Sequence, residues 1–357
     1  MKIYILPISG GGFVAQLGLL YELYKSTREN QTVSVGGGQV SNLGITPDLV
    51  LASSGGNVAS YIAMVNNWSD TGILTNVELV DSSIFIKSWT PSFLPTWLVY
   101  PLTGSLYKAA DGMEGLFNNL YTKASIGTTE IWTGTYNSTK QKAIMFCNKS
   151  FADAKVKDTR SNYYLYDQGE SIYLNYDIEA IGKACYASAA IPLVTPGIII
   201  NGDKYLDGGT AYSSPLIPME AKVNEAVART SERSLSGKPL IQLHYFCSYD
   251  MDMKFSDSMY SAIIGLLVHS SLLQDRAAAL SMLRKYGSVP DAPIVYSNVK
   301  TAQLGTIMNQ NRDKSYLMIF FPRGAPSVSS TNFTGKEIRE IILKMNGNYS
   351  IYLYECN

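Results

Sequence analysis

The chain has 357 residues, 46% hydrophobic and only 16% charged, which supplies a large buried core and excludes a disordered chain. Its 29 basic and 29 acidic residues cancel, so no basic field exists to hold nucleic acid, and any membrane contact must rest on apolar and aromatic groups. Four cysteines, Cys147, Cys185, Cys247 and Cys356, lie far apart with no CxxC pair, a pattern of buried free thiols that fits neither a disulfide framework nor a zinc site.

In chain order, residues 2–8 read as a short buried strand running into Ser9-Gly10-Gly11-Gly12. This opening is too short an apolar run for a signal peptide. The longest later run, Ala262 to Val268, falls far below the roughly 18 residues of a membrane span, so a cytoplasmic protein is expected. A helix follows from about Phe13 to Lys25, with Leu17, Leu20, Leu23 and Tyr24 at helical spacing. Val33 to Ser41 is glycine-rich and reads as a loop. Asp48 to Ala52 is a second strand, Ser53-Ser54-Gly55-Gly56 a sharp turn, and Asn57 to Val65 a second helix. Strand, glycine turn and helix, twice over, is the rhythm of an α/β fold with a largely parallel central sheet. Ligands of such sheets sit beyond the carboxyl ends of the strands, where both turns fall.

Residues 81–126 differ in character. Trp89, Phe93, Trp97 and Tyr100 crowd around Pro91, Pro95 and Pro101, which break any long helix. The segment reads equally as a packed insert or as a lid at the interface of water and lipid, where such aromatics are at home. Thr129–Tyr136 and Lys142–Cys147 form an expected hairpin, and residues 177–188 an expected helix. Ile198–Ile200 and Tyr205–Leu206 form a second hairpin, ending at Asp207-Gly208-Gly209. Beyond it come a strand at Leu240–Phe246, helical stretches within 258–286, a strand at Tyr316–Phe321, a helix at Lys336–Met345 and a strand at Ser350–Tyr354. With no repeat and no linker, one domain over 1–357 is expected, its C-terminal α/β portion starting near 219.

Three short motifs carry the chemistry. Ala52-Ser53-Ser54-Gly55-Gly56 approximates the nucleophile elbow G-x-S-x-G, in which a serine on a tight strand-to-helix turn exposes its hydroxyl. The helix starting there aims its N-terminal dipole at charge developing on the substrate. Alone, such a turn is more often a helix cap. Gly10-Gly11-Gly12 offers backbone amides unobstructed by side chains, the form of an oxyanion hole, and it lacks the companion residues of a phosphate-binding loop. Asp207-Gly208-Gly209 puts a carboxylate at the end of a short strand; alone it is a hairpin turn.

Together and in this order, the three motifs resemble the patatin-like phospholipase family. Pro47 to Gly56 looks like that family's strand and elbow. Ala187-Ser188-Ala189-Ala190-Ile191-Pro192, followed by Asn201 to Gly209, is similar to its A-S-x-A-x-P block and D-G-G/A motif. The resemblance extends over about residues 3–66 and 129–218. It implies a three-layer α/β/α patatin-like fold and a lipid acyl hydrolase of phospholipase A or lysophospholipase type. Ser54 would be the nucleophile and Asp207 its base. The amides of Gly11 and Gly12 in the Gly10–Gly12 triplet, with Gly55, would hold the oxyanion. Ala52, Gly56, Gly208 and Gly209 would support the two turns. Val14 and Ala15 depart from the family pattern, which has an arginine or lysine and then a glycine at these positions.

Two alternatives stand beside this reading. A Ser-His-Asp triad would use His244 or His269, the two histidines of the chain; both fall in apolar elements and read as structural. A patatin-fold binding protein without turnover is the other, which the presence of both Ser54 and Asp207 disfavours. No calcium-loop pattern occurs, and no metal or cofactor is expected. The expected partner is a phospholipid or other acyl-ester lipid, with peripheral membrane contact through Trp89, Phe93, Trp97 and Tyr100.

Overall fold

The structure is a computed structural model that describes residues 1–32, 45–64, 68–79, 89–91, 107–109, 129–147, 170–173, 178–192, 196–234, 236–250, 259–324, 326, 334–345, 347 and 349–357. The glycine-rich stretch at 33–41 and the aromatics Phe93, Trp97 and Tyr100 lie outside these residues, and of the insert only two short paired strands are described, β3 (Trp89–Pro91) and β4 (Tyr107–Ala109).

β1 (Lys2–Leu6) and β2 (Leu49–Ser53) are wholly apolar but for Lys2 and Ser53, as befits strands covered on both faces. They pair in parallel, with Ile3 opposite Leu49 and Leu6 opposite Ala52. The main sheet runs in the order β11 (Ile294–Tyr296), β13 (Tyr349–Cys356), β12 (Ser315–Pro322), β10 (Gln242–Phe246), β1, β2, β5 (Glu130–Asn137), β6 (Lys142–Cys147) and β7 (Glu170–Tyr173). Its centre, from β12 through β10, β1 and β2 to β5, is parallel. Antiparallel neighbours flank it: β13 on one side, β6 on the other. β8 (Ile198–Ile200) and β9 (Asp203–Asp207) form the second hairpin, and β9 joins the sheet through β5.

Side chains of these strands alternate between two cores. Tyr4, Leu6, Val50, Ala52, Phe246 and Phe320 face one side, where α1 (Phe13–Thr32) and α2 (Gly55–Met64) pack with Leu17, Leu20 and Ile62. Ile3, Ile5, Leu49, Leu51, Leu243 and Ile319 face the other, under Val223 of α5 (Glu220–Arg229) and Ala279 and Leu283 of α6 (Met259–Arg284). The result is a three-layer α/β/α fold with a central, mostly parallel sheet. α3 (Asp70–Leu79) follows α2, and α4 (Ile178–Ser188) precedes the second hairpin. Among the described residues no helix is long and apolar enough to cross a membrane.

Candidate active site

β1 and β2 are neighbours, and both helices that follow them start at the carboxyl edge of the sheet. That edge is where the two glycine turns meet. After β1, Gly10–Gly12 makes a single 3-10 turn that leads directly into α1, with Gly10 at φ +49. The Gly12 amide donates to the Ser9 carbonyl at 2.8 Å and is spent closing this turn. Among the described residues no acceptor takes the amides of Gly10 and Gly11. The Ser9 hydroxyl is buried and unpartnered there, against the Cα of Gly55.

After β2 the chain turns on one residue. Ser54 has φ +55, the left-handed region that costs a side-chain-bearing residue about 1–2 kcal/mol. α2 begins at Gly55, two residues earlier than the periodicity of apolar residues suggests, so the elbow is sharper than a four-residue turn. The Ser54 carbonyl accepts the Asn57 amide at 3.0 Å as the helix's first bond. Gly56 is obligatory for packing, since a Cβ would run into the Leu6 and Pro7 carbonyls of the neighbouring strand. Asn57 is fully buried, and its Oδ1 accepts from the Thr133 hydroxyl at 2.9 Å, fixing the start of α2 to β5.

Asp207 reaches Ser54 through β5. β2 pairs with β5 as far as Ser53 opposite Gly134 and then leaves the sheet at the elbow. β6 occupies the other edge of β5 at Thr135, Tyr136 and Asn137. β9 therefore takes the edge that β2 gives up, running the opposite way, with Asp207 opposite Thr135. Nucleophile candidate and carboxylate thus end two strands that meet head-on along one edge of β5. Gly208 allows this closeness, because a Cβ there would strike the Gly134 carbonyl.

Asp207 is 1% exposed. Its Oδ1 accepts the Gly209 amide at 2.7 Å, and its Oδ2 is buried without a hydrogen-bond partner. Burial raises its pKa to about 7, outweighing the Ser54 hydroxyl and the Gly209 amide, which both favour the charged form. A carboxylate that exchanges its proton near neutrality beside a serine hydroxyl is suited to general-base work.

The structure brings Ser54, Asp207 and both glycine turns together. It does not bring the histidines there. His244 sits in β10 opposite Tyr4, is fully buried, and its Nε2 shares a hydrogen bond of 2.9 Å with the Tyr316 hydroxyl. Burial lowers its pKa to about 3, which keeps the ring neutral. His269 is exposed on α6. Val14 is fully buried in the core beneath α1, and Ala15 likewise, so the place of the family's basic residue is an apolar one here. Among the described residues no group of three or more His, Cys, Asp or Glu side chains could hold a metal ion.

A family model described as Patatin-like phospholipase matches residues 6–219. The chain belongs to the patatin-like phospholipase family. The matched span of this patatin-like chain covers the glycine turn, the elbow and Asp207, and it stops before β10, β12 and β13, which nevertheless complete the same sheet. No curated protein matches the chain.

Sequence reasoning assigned no role to one side chain that links the elbow to β5. The Ser188 hydroxyl, fully buried at the end of α4, accepts the Ser54 amide at 3.0 Å and donates to the Gly134 carbonyl at 2.8 Å. Two residues on, the Ala190 carbonyl accepts the Asp207 amide at 2.9 Å. The signal was present as the Ala187–Pro192 block, but nothing in that string says which atoms it meets.

Proposed function

We propose that the protein is a serine-dependent lipid acyl hydrolase, of phospholipase A or lysophospholipase type, with Ser54 as nucleophile and Asp207 as base. The observation that carries this reading is the meeting of a serine held at positive φ on an elbow with a buried carboxylate titrating near neutrality. The family supports hydrolysis of lipid esters; the division of labour between residues is our inference.

Asp207 takes the Ser54 proton as Oγ attacks the ester carbonyl carbon. The negative charge that develops on the carbonyl oxygen is met by the amides of Gly10 and Gly11, with Gly55 and the N-terminus of α2 behind them. Collapse of the tetrahedral intermediate expels the alcohol portion of the lipid, which leaves with the proton from Asp207. Water then attacks the acyl-serine with Asp207 again accepting the proton, and the fatty acid departs. The unpartnered Oδ2 of Asp207 is the lone-pair site that an aligned hydroxyl or water would fill. The neutral chain suits apolar contact with a lipid surface through Trp89, Phe93, Trp97 and Tyr100. A single domain is supported by β10 and β12, which extend the sheet directly from β1 although they lie past the family match.

The test is a panel of phospholipids, lysophospholipids and neutral glycerides, with Ser54→Ala alongside and a fluorophosphonate probe. The expected result is ester cleavage by the parent, probe labelling at Ser54 and a loss of a thousandfold or more in Ser54→Ala. Labelling at another serine in an ester-hydrolysing sample would overturn the assignment.

A further inference from the structure

At the point where β2 leaves β5, the ladder has one donor and one acceptor left over: the Ser54 amide, which has turned into the elbow, and the Gly134 carbonyl, which has lost its partner strand. The Ser188 hydroxyl stands between them and bonds both. It does what a bridging water would do in a wetter place, but as a covalently fixed group in a dry one. The same short segment holds the other member of the pair, because the Ala190 carbonyl takes the Asp207 amide. Residues 188–190 therefore tie the backbone of the nucleophile to the backbone of the base.

We infer that Ser188 is a positioning residue that sets the alignment of Ser54 with Asp207 by spanning the last open rung between β2 and β5. This inference rests on the Ser–Asp reading above. The group never touches substrate; it acts through the Ser54 amide. Without its oxygen, the amide of a residue already in the left-handed region is left buried and unsatisfied. The backbone can relieve that only by turning the elbow, which carries the Ser54 hydroxyl away from the carboxylate. Displacements of about 1 Å between reacting groups cost on the order of a hundredfold in rate.

The experiment measures kcat and KM on p-nitrophenyl butyrate, the pH–rate profile and thermal unfolding for the parent, Ser188→Ala, Ser188→Thr and Ser54→Ala. In Ser188→Ala, kcat is expected to fall about ten- to a hundredfold with KM within about twofold. The acid limb of the profile moves to higher pH, because Asp207 loses the hydroxyl that favours its charged form. Ser188→Thr restores the oxygen and recovers most of the rate. A folded Ser188→Ala with the parent's kcat and acid limb overturns the inference, as does equal loss in the Ala and Thr variants of equal melting temperature. If Ser188→Ala does not fold, Ser188→Cys carries the same measurement, and an unchanged kcat there overturns it too. Ser54→Ala separates the two levels: if it stays fully active, the Ser–Asp reading fails. If it is inactive while Ser188→Ala is intact, only the positioning role fails.

Discussion

Replacing Asp207 by asparagine tests the energetics of the site apart from its chemistry. The carboxyl is 1% exposed, accepts one amide bond, and has its pKa raised by burial from 3.8 to about 7. A folded-state pKa above the unfolded one means that the native protein binds the proton more tightly. The stabilisation is complete below the unfolded value near 3.8 and is lost as pH rises through about 7. At about 1.4 kcal/mol per pH unit, the displacement corresponds to a ceiling of ~4 kcal/mol, present in acid and gone above neutrality. Asparagine is neutral at every pH and keeps an acceptor for the Gly209 amide. Asp207→Asn is therefore expected to be more stable than the parent at pH 8, by roughly 2–4 kcal/mol, and to show a flatter decline between pH 4 and 7. Part of the decline remains, because the buried Asp275, held by Ser214 and Tyr245, is also raised by burial to about 7. The assay is urea unfolding at pH 4 to 8 for both proteins, with ester hydrolysis alongside. Hydrolysis by the parent should rise with an apparent pKa near 7, and the variant should lose on the order of a thousandfold or more. Stability profiles that stay parallel from pH 4 to 7 would refute the reasoning, since the carboxyl would then titrate in the native state as it does in the unfolded chain.

His244→Phe and His269→Ala are each expected to keep the hydrolytic rate within a few fold, with any loss in His244→Phe appearing as a lowered melting temperature from the broken bond to Tyr316. A folded variant as inactive as Ser54→Ala would bring the triad back. Replacing Phe93 and Trp97 together by alanine is expected to weaken binding to phosphatidylcholine vesicles by roughly 2–3 kcal/mol, with a short soluble ester hydrolysed at the parent rate. Equal losses on both substrates with a lower melting point would make the segment packing.

Much of the frame was legible before any coordinates. β1 and β2 are apolar runs closed by glycines, and the hairpins carry turn residues between β-branched and aromatic stretches, so periodicity and punctuation agree. The boundaries slipped where tertiary contacts override local preference. The first helix was expected to stop at Lys25 but runs to Thr32, with Ser26 and Thr27 buried although they are polar. The second was expected to start at Asn57, because Gly55 and Gly56 resemble loop residues; both are helical, and only glycine fits there, Gly55 against Ser9 and Gly10 and Gly56 against the end of β1. α3, with Gly72 in its first turn, gave no clear apolar stripe and was not anticipated. In the candidate site, Ser54, Asp207 and the glycines were singled out by pattern, whereas the turn's use of its own Gly12 amide is a matter of angles. Ser188 lies 134 positions from the Ser54 amide that it accepts, beyond any local signal.

The head-on meeting of β2 and β9 along β5 also bears on how the molecule opens. The first strand, the elbow and the start of α2 all lie within the leading part of the chain. Asp207, the proposed base of Ser54, and Ser188, its tether, arrive from much later in sequence, by closures of high contact order that are made slowly and carry a large loop-entropy cost. A fluctuation that peels β9 and the end of α4 from β5 would leave the parallel centre standing and still separate Asp207 from Ser54. On the proposed Ser–Asp reading, catalytic competence would belong to the fully closed chain, because a partly opened form has lost both the tether of its elbow and its base.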